Sequence, residues 1–300
     1  MSTLYPEQAG QHFGTDDVSR PQIRRITLAD LRDCLALGWQ DFKAVPSHAI
    51  MLCVIYPVIG LLVARLALSN SVLPLLFPLA AGFALVGPFA ALGLYELSRR
   101  REVGEEASAW NAFDVFRSPA IGAILGLGFA LMVLFLIWLG VAQAIYISTF
   151  GYEAAADIPH FVSRVLTTPD GWRLILLGCG AGFVFALITL CISVVSFPMM
   201  LDRNAGLTDA VTTSIRAMIR NPVPMAAWGI IVAALLALGS IPFLLGLTVT
   251  MPLLGHATWH LYRKLIVPGT SRPPLRPVKP KRFAADFPLS LFQWRGGDKR

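Results

Sequence analysis

Residues 223–262 read VPMAAWGIIVAALLALGSIPFLLGLTVTMPLLGHATWHLY, which is one continuous apolar run. As a straight helix this run would measure about 60 Å, twice the roughly 30 Å of the hydrocarbon core of a bilayer. The chain therefore has to reverse within the run, and the turn residues Gly239, Ser240, Ile241 and Pro242 predict the place. A single kinked and tilted span is the alternative.

The rest of the chain carries the same membrane signal. Hydrophobic residues make up 55% of the 300 residues and charged residues 14%, whereas about a quarter of the residues in a soluble domain are charged. Stretches of roughly 20 apolar residues are long enough to span a membrane as helix. We predict an all-α, polytopic membrane protein with six transmembrane helices, at residues 49–68, 72–97, 120–147, 174–200, 223–239 and 241–262.

The two ends differ from this membrane domain, which covers residues 27–266. Residues 1–26 are polar and predicted to be disordered, and they lack the order of charged and then apolar residues that marks a cleavable signal. Residues 267–300 form a basic tail whose first part is rich in proline, which favours extended chain.

The distribution of the Lys and Arg residues predicts how the chain is oriented in the membrane. All but three of the 25, namely Arg65, Arg164 and Arg173, fall on one side of the predicted spans. Since basic loops stay in the cytoplasm during insertion, both termini are predicted to be cytoplasmic. The net charge of +7 is then explained by anionic lipids of the inner leaflet, and nucleic acid is not needed as a partner.

A unit of three parts recurs along the chain: an amphipathic stretch, a basic residue with a proline, and a pair of spans. The basic residue and proline are Lys43 with Pro46, Arg117 with Pro119, and Arg220 with Pro222. Proline is tolerated in the first turn of a helix but disfavours helix just before it, so it separates a surface helix from a spanning one. We predict three repeats of interfacial amphipathic helix plus transmembrane hairpin; the alternative is that such loops recur by chance.

The apolar faces of the three surface helices follow from the 3- and 4-residue spacing. They are Leu28, Leu31, Leu35, Trp39 and Phe42 in the first, Trp110, Phe113 and Phe116 in the second, and Leu207, Val211, Ile215 and Met218 in the third. Thr27, three residues before Asp30, is expected to cap the first helix. A further surface helix is predicted on the far side, within residues 149–172.

Aromatic and basic residues at the ends of these helices are the candidate contacts to lipid headgroups or to a membrane partner, because such side chains settle at the membrane interface. The candidates are Trp39, Phe42, Lys43, Arg99, Arg100, Arg101, Trp110, Arg117, Arg203, Arg220, Trp259, Arg263 and Trp294.

Three histidines are weaker candidates for a metal or haem site. His256 and His260 are four residues apart on one helix face, and His48 begins span 1 on the same side. An interfacial or packing role is the preferred interpretation, so we assign no metal, no cofactor and no catalytic residue. The four cysteines form no Cys-x-x-Cys pair, which disfavours disulfides and a cysteine metal site.

Two further patterns concern the spans themselves. Their centres carry no Asp, Glu, Lys or Arg, which disfavours a proton relay, although the prolines at 78, 88 and 198 could break helices around a substrate. Two Gly-x-x-x-Gly pairs, at 122 with 126 and at 178 with 182, favour close helix packing within the chain, with homodimerisation as the alternative.

Four stretches of the chain resemble a family of bacterial integral membrane proteins that is catalogued only as a domain of unknown function. The stretches are GWQDF (38–42), SRRREVG (98–104), SFPMMLDR (196–203) and PLLGHATWHLYR (252–263). The resemblance extends over about residues 28–265 and implies a bacterial inner-membrane location, but it supplies no reaction and no catalytic residue.

The function that these observations favour is that of a non-enzymatic accessory or scaffold protein of the inner membrane, engaging lipid headgroups or a membrane protein complex. The first alternative is a transporter or channel for a lipid or a small neutral solute, which a polar cavity near Gln143, Thr189 or Ser193 would favour. The weaker alternative is a redox protein that binds haem or metal at the histidines.

Overall fold

A computed structural model of the chain describes residues 21–44, 58, 78–79, 91–105, 107–152, 158–242 and 244–267. Over these residues the secondary structure is helical, apart from one isolated antiparallel bridge between Ile23 and Ile266. The helices are α1 (Leu28–Ala44), α2 (Leu92–Glu102), the 3₁₀ helix η1 (Ala109–Arg117), α3 (Ile121–Phe150), α4 (Ile158–Thr167), α5 (Pro169–Ser193), α6 (Ser196–Arg203), α7 (Leu207–Arg220), α8 (Pro222–Ser240) and α9 (Leu247–Leu265).

Three segments of the described chain are long and apolar enough to cross a membrane. They are Ile121–Phe150, Pro169–Arg203 and Pro222–Ser240, and between 6% and 22% of the most apolar stretch in each is buried inside the protein. Helices that are apolar all round and remain exposed need lipid around them. Predicted spans 3, 4 and 5 are thus confirmed as helices of spanning length, whereas span 1 and most of span 2 lie outside the described residues.

The long apolar run reverses where the sequence predicts. Helix α8 ends at Ser240 and α9 begins at Leu247. A Cβ atom on Gly239 would lie 2.5 Å from Oγ1 of Thr250, so the two helices approach closely at the turn. Leu244, within the turn, has a φ of 65°. The alternative of one kinked span is therefore wrong.

Helix α3 packs against α5 through one large and one small residue. The ring of Trp138 lies 3.2 Å from the position that a Cβ on Gly182 would occupy, and its centroid is 5.5 Å from that of Phe185. Gly182 therefore serves packing within the chain. A Cβ at Gly122 or Gly178 would meet nothing within 4 Å, so homodimerisation through these glycines stays a prediction.

Helix α9 is the centre of the described bundle. Its second half is buried on nearly every side, and α1, α2 and α8 pack against it. The predicted sixth span at residues 241–262 is not among the three segments that could cross a membrane: its helix begins six residues later and is enclosed by the protein at its carboxyl end, so a sixth span stays a prediction.

The inward face of α1 differs from the predicted apolar face. Within the predicted interfacial face, Leu31 and Phe42 are buried in the protein, whereas Leu28 and Trp39 are exposed. The other buried residues of the helix are Cys34, Gly38 and Asp41. Thr27 caps the helix as predicted, since its hydroxyl oxygen accepts from the backbone N–H of Asp30 at 3.4 Å while its own backbone N–H donates to the Asp30 carboxylate. The 3- and 4-residue spacing of apolar residues does not predict this buried face, because glycine and aspartate do not contribute to an apolar pattern.

Helices η1 and α7 also expose bulky apolar residues. In η1, a 3₁₀ helix rather than an α-helix, Trp110 is 76% exposed, and Phe113 and Phe116 are exposed as well. In α7 the exposed apolar residues are Leu207, Ile215 and Ile219. The residues that α7 buries are small or polar at most positions: Ala210, Thr213, Ser214, Ala217 and Met218. Both helices therefore turn bulky apolar side chains away from the bundle.

On the far side, α4 lies within the loop where a helix is predicted. Phe161 of α4 contacts Tyr146 and Phe150 at the end of α3, with ring centroids 6.3 Å from each. Val162 and Leu166 are exposed. The helix is thus fixed to the bundle by aromatic contacts while part of its apolar surface stays open.

Candidate functional site at the junction of α1, α2 and α9

A group of polar side chains, here called the polar cluster, lies where α1, α2 and α9 meet. Its members are Asp41 of α1, Ser98 and Arg101 of α2, and His256 and His260 of α9. Asp41, Ser98 and His256 are buried, and His256 is 0% exposed. Buried polar groups are costly unless they are hydrogen-bonded, so their mutual bonds determine whether the cluster stabilises the fold.

The helix packing explains why these side chains meet. Helix α1 runs antiparallel to α9, because Asp30 near its start bonds to Lys264 and Asp41 near its end bonds to His260. Between these contacts, a Cβ on Gly38 would lie 2.7 Å from the backbone N of Ala257. Glycine at this position lets the two helices approach until the short Asp41 side chain reaches α9.

Asp41 is the common acceptor of the cluster. Its Oδ2 lies 2.7 Å from Oγ of Ser98 and 2.9 Å from Nε2 of His260, while Oδ1 accepts from the Arg101 guanidinium. Burial acts to raise the pKa of this carboxyl, but the hydrogen bonds from His260 and Ser98 and the nearby imidazoles outweigh it and leave the pKa below its ordinary value. Asp41 is therefore ionised and accepts every bond that it makes.

This charge state fixes the positions of the protons. The one hydroxyl proton of Ser98 is donated to Asp41, so the 2.7 Å contact between Ser98 Oγ and His256 Nδ1 needs the proton on the histidine. His256 is then the Nδ1–H tautomer, and its Nε2 carries a lone pair. Within the described part of the chain, that buried Nε2 has no hydrogen-bond partner.

The order of the side chains differs from that of a hydrolytic triad. In a triad the histidine lies between the serine and the carboxylate and removes the serine proton. Here Ser98 lies between Asp41 and His256. The residue is 1% exposed, and its hydroxyl donates to the Asp41 carboxylate. The arrangement holds three helices together and gives no support to a nucleophilic role for Ser98.

A second group of contacts joins α9 to the end of α2. Glu102 accepts from the indole Nε1 of Trp259 at 3.0 Å and from Arg263 at 2.8 Å. Arg263 also lies 3.5 Å from Asp202 of α6. The Tyr262 hydroxyl donates to the same Asp202 carboxylate at 2.6 Å. These bonds connect α2, α6 and α9 through charged groups.

The contacts bring together the four stretches that carry the family resemblance. GWQDF supplies Asp41, SRRREVG supplies Ser98, Arg101 and Glu102, SFPMMLDR supplies Asp202 and Arg203, and PLLGHATWHLYR supplies the residues of α9. Four segments that are far apart in the sequence therefore meet in two adjacent groups of hydrogen bonds, here together called the network.

The candidate histidines are used inside this network. His256 bonds to Ser98 and His260 to Asp41. His48 lies outside the described residues. Within the described residues, no three His, Cys, Asp or Glu side chains are grouped as metal ligands would be. The two histidines of α9 thus have packing partners, in keeping with the preferred interpretation of their spacing.

The candidate interface residues fall into three groups by environment. Trp39 and Trp110 are exposed, whereas Phe42 and Trp259 are buried. Arg99, Arg100, Arg101, Arg117, Arg203 and Arg263 each have a carboxylate partner. Lys43 and Arg220 are exposed with no ion-pair partner among the described residues, and Trp294 lies outside them. Contact of these side chains with lipid or a partner stays a prediction.

The sequence reasoning missed the acceptors of the network, Asp41, Ser98, Glu102 and Asp202. A signal was present for Asp41, an acidic residue within an otherwise apolar face of a short helix. It also missed Asn221, which is 3% exposed and bonds to the backbone of residues 24 and 26.

Comparison with known proteins gives a match that covers the central part of the chain. No curated protein and no solved structure matches it. One family model matches residues 75–202, under the description predicted integral membrane protein (DUF2189). This stretch includes α2, η1 and the long helices α3 and α5. The resemblance seen in the sequence is thus confirmed over residues 75–202, which are similar to this family of integral membrane proteins of unknown function, whereas GWQDF (38–42) and PLLGHATWHLYR (252–263) lie outside the match.

Proposed function

We propose that this protein is a non-enzymatic accessory or scaffold protein of the bacterial inner membrane, with several spans and both termini in the cytoplasm. Its surface helices would rest on the lipid headgroups and present the protein to a membrane partner. The bridge between Ile23 and Ile266 supports a common side for the two ends, because it brings the chain before α1 and the chain after α9 together.

The observation that carries the proposal is the exposed aromatic face of η1, together with the exposed bulky apolar residues of α1 and α7. In a soluble protein the bulky apolar residues of such helices would face the core. Here η1 turns Trp110, Phe113 and Phe116 outward and buries Ala112 and Val115. An exposed aromatic face directly before a spanning helix is typical of the membrane interface, where tryptophan and other amphipathic side chains are enriched.

The polar network supports a scaffold role, because it fixes the positions of four helices relative to one another. Asp41, Glu102 and Asp202 link α1, α2, α6 and α9 by ionic hydrogen bonds that are partly shielded from water. Networks of this kind hold helices in one arrangement when all their members are bonded. The surface helix α1 is thereby joined by ion pairs to α2 directly and to α6 through α2 and α9, at one end of the bundle.

Photocrosslinking of the full chain in its own membrane tests the proposal. A benzophenone amino acid replaces Phe113, which is exposed, or its neighbour Ala112, which is 6% exposed and serves as the matched control. We expect the label at position 113 to capture phospholipid or a membrane partner, and the label at position 112 to react only within the chain. A label at 113, and likewise at Phe116, that captures neither would overturn the proposal.

Affinity purification in mild detergent then tests the scaffold role. One dominant stoichiometric protein partner, identified by mass spectrometry and lost when residues 268–300 are deleted, is the expected result. A preparation without any protein partner but enriched in one lipid or solute would contradict it and favour transport.

Transport is the second candidate, and one specific observation favours it. Oγ1 of Thr189 and Nε2 of His256 are the buried side-chain polar atoms without a hydrogen-bond partner in the described part of the chain. Thr189 lies in α5, where a polar site for a solute was expected. A neutral solute with a hydroxyl or amide group could bond to such atoms. Copurification of one such solute, lost in Thr189→Val, would support this candidate.

A further inference from the structure

The basic residues at the network end of the bundle divide into two groups. Those near the network are bonded to carboxylates: Arg99, Arg100, Arg101, Arg203, Arg263 and Lys264. Four others, Arg24, Arg25, Arg216 and Arg220, are exposed and have no ion-pair partner among the described residues. These four are here called the Asn221 patch.

The side chain of Asn221 brings the patch together. Its Oδ1 accepts from the backbone N–H of Ile26 at 2.9 Å, and its Nδ2 donates to the carbonyl of Arg24 at 3.1 Å. The segment that carries Arg24 and Arg25 is thereby fixed next to Arg220, the last residue of α7. Arg216 lies one turn earlier on the same helix. Two distant parts of the sequence, each with two exposed arginines, are thus joined at Asn221.

The surroundings of the patch leave its positive charge uncompensated. Asp30 and Asp33 of α1 both bond to Lys264, and in the described part of the chain no carboxylate lies within ion-pair distance of the four arginines. On the other side, the backbone of Arg24 is held by the carbonyl of Leu265 at 2.7 Å, which fixes the segment from a second direction. Arginines that are held in place without a carboxylate are suited to bind a phosphate group.

Apolar side chains adjoin the patch. Ile219, between Arg216 and Arg220 in the sequence, is 74% exposed, and Val223 in the first turn of α8 is 67% exposed. Helix α8 is one of the three segments that can cross a membrane. Guanidinium groups beside exposed aliphatic side chains, at the start of a spanning helix, match a molecule that has an anionic head and apolar tails.

We propose that the Asn221 patch is a binding site for the headgroup of an anionic phospholipid, with the acyl chains lying along Ile219 and Val223. The site rests on the proposed function in that both require this end of the bundle to face the bilayer surface. It adds a selective lipid contact, made by four specified arginines and distinct from the aromatic face of η1.

Native mass spectrometry of the purified full chain tests this site. The protein is offered equal amounts of phosphatidylglycerol and phosphatidylcholine in detergent, where a general surface potential of the membrane is absent. Arg216→Gln with Arg220→Gln removes two charges from the patch. The control, Arg32→Gln with Arg173→Gln, removes two exposed charges outside the patch, one on α1 and one on α5, where the Arg173 side chain is 72% exposed and pairs with Asp170.

We expect the unaltered protein to prefer phosphatidylglycerol and the patch variant to bind it about 100-fold more weakly, since each direct hydrogen bond from a guanidinium to a phosphate contributes about tenfold. The control variant should lose less than about twofold. Equal losses in the two variants, or no lipid preference in the unaltered protein, would overturn the site. Displacement of the lipid by inorganic phosphate alone would show that the patch recognises phosphate and not phospholipid, and would also overturn it.

This result is independent of the crosslinking at Phe113. If Phe113 captures lipid while the patch variant keeps full phosphatidylglycerol binding, the proposed function stands and the lipid site is wrong. If Phe113 captures neither lipid nor a partner, the proposed function itself fails.

Discussion

Asp41 and His260 are 219 positions apart in the chain, yet Oδ2 of Asp41 lies 2.9 Å from Nε2 of His260. The bond joins the end of the first described helix to the last one. The face of α1 that carries Asp41 is therefore turned into the bundle, and α1 is a packed structural helix as well as a candidate surface helix. Its exposed apolar residues remain free to contact lipid.

Replacement of Asp41 by Asn should destabilise the protein by about 3 kcal/mol. The amide lacks the charge that Arg101 requires, and when its oxygen accepts from Ser98 and His260 its NH2 group faces Arg101, from which it cannot accept. Removing one partner of a buried charged pair leaves the others unpaired at a cost of this order. Thermal unfolding in detergent, followed by intrinsic fluorescence, measures the loss.

Asp33→Asn is the matched control, because Asp33 also bonds to α9 but its side chain is 61% exposed. Exposed ion pairs contribute less than about 1 kcal/mol, so its unfolding temperature should change little. Equal shifts in the two variants would contradict the structural role of the buried carboxylate.

Gly38→Ala should lower stability by roughly 1–3 kcal/mol. The added Cβ would lie 2.7–2.9 Å from backbone and side-chain atoms of Ala257, which cannot move without shifting α9. Overpacking of a well-packed contact costs this much. Gly140→Ala is the control, since a Cβ there meets nothing within 4 Å. Denaturant or thermal unfolding should show Gly140→Ala unchanged or slightly more stable, and a destabilised control would rule out the packing explanation.

Much of the fold follows from the sequence, because apolar length and proline position are dictated by local chemistry. The reversal at Ser240, the helix at Ile158–Thr167 and the cap at Thr27 are examples. The inward faces of α1 and α7 were only partly predicted. Hydrophobic periodicity assumes an apolar core and a polar exterior, and next to a membrane the exterior is apolar as well.

The candidate site was harder to predict for a related reason. Gly38 and Asp41 have no apolar side chain to mark them as buried, and their partners Ala257 and His260 lie more than 200 residues away. His256 and His260 were noted as a pair on one face, but spacing along one helix does not reveal that Ser98 and Asp41 approach it. Such contacts depend on tertiary packing, which a single sequence does not report.

Cys34 should be protected from thiol reagents as long as α1 is docked. Its side chain is 0% exposed, and burial raises the pKa of its thiol to about 12. Lys264→Gln removes the bonds from α9 to Asp30 and Asp33 and should speed maleimide labelling of Cys34 several-fold. A background in which the other cysteines are replaced by serine isolates the signal. An unchanged labelling rate would show that these ion pairs do not hold α1 in place.

The start of α1 should loosen in acid. The bond from Lys264, followed by those from Thr27, lowers the pKa of Asp30 from 3.8 to about 2. Because the folded state holds this proton more weakly than the unfolded state, the stabilisation is present above about pH 4 and is lost as the pH falls towards 2. Hydrogen exchange of α1, corrected for its intrinsic pH dependence, should show less protection at pH 2.5 than at pH 4.5. In Asp30→Asn this pH dependence should disappear, and its persistence would assign the effect to another group.

His256 should be the Nδ1–H tautomer at neutral pH. Asp41 is ionised and accepts the hydrogen bond from the Ser98 hydroxyl. The 2.7 Å contact between Ser98 Oγ and His256 Nδ1 therefore requires a proton on Nδ1. Nitrogen-15 NMR of histidine-labelled protein distinguishes a protonated from an unprotonated ring nitrogen, and His256→Gln assigns the signal. In Ser98→Ala the acceptor for Nδ1–H is lost, so the tautomer preference should weaken, whereas Thr258→Val, two residues along the same helix, should leave it unchanged. A signal with the proton on Nε2 would instead mean that Ser98 donates to His256 and that the buried carboxylate is satisfied in another way.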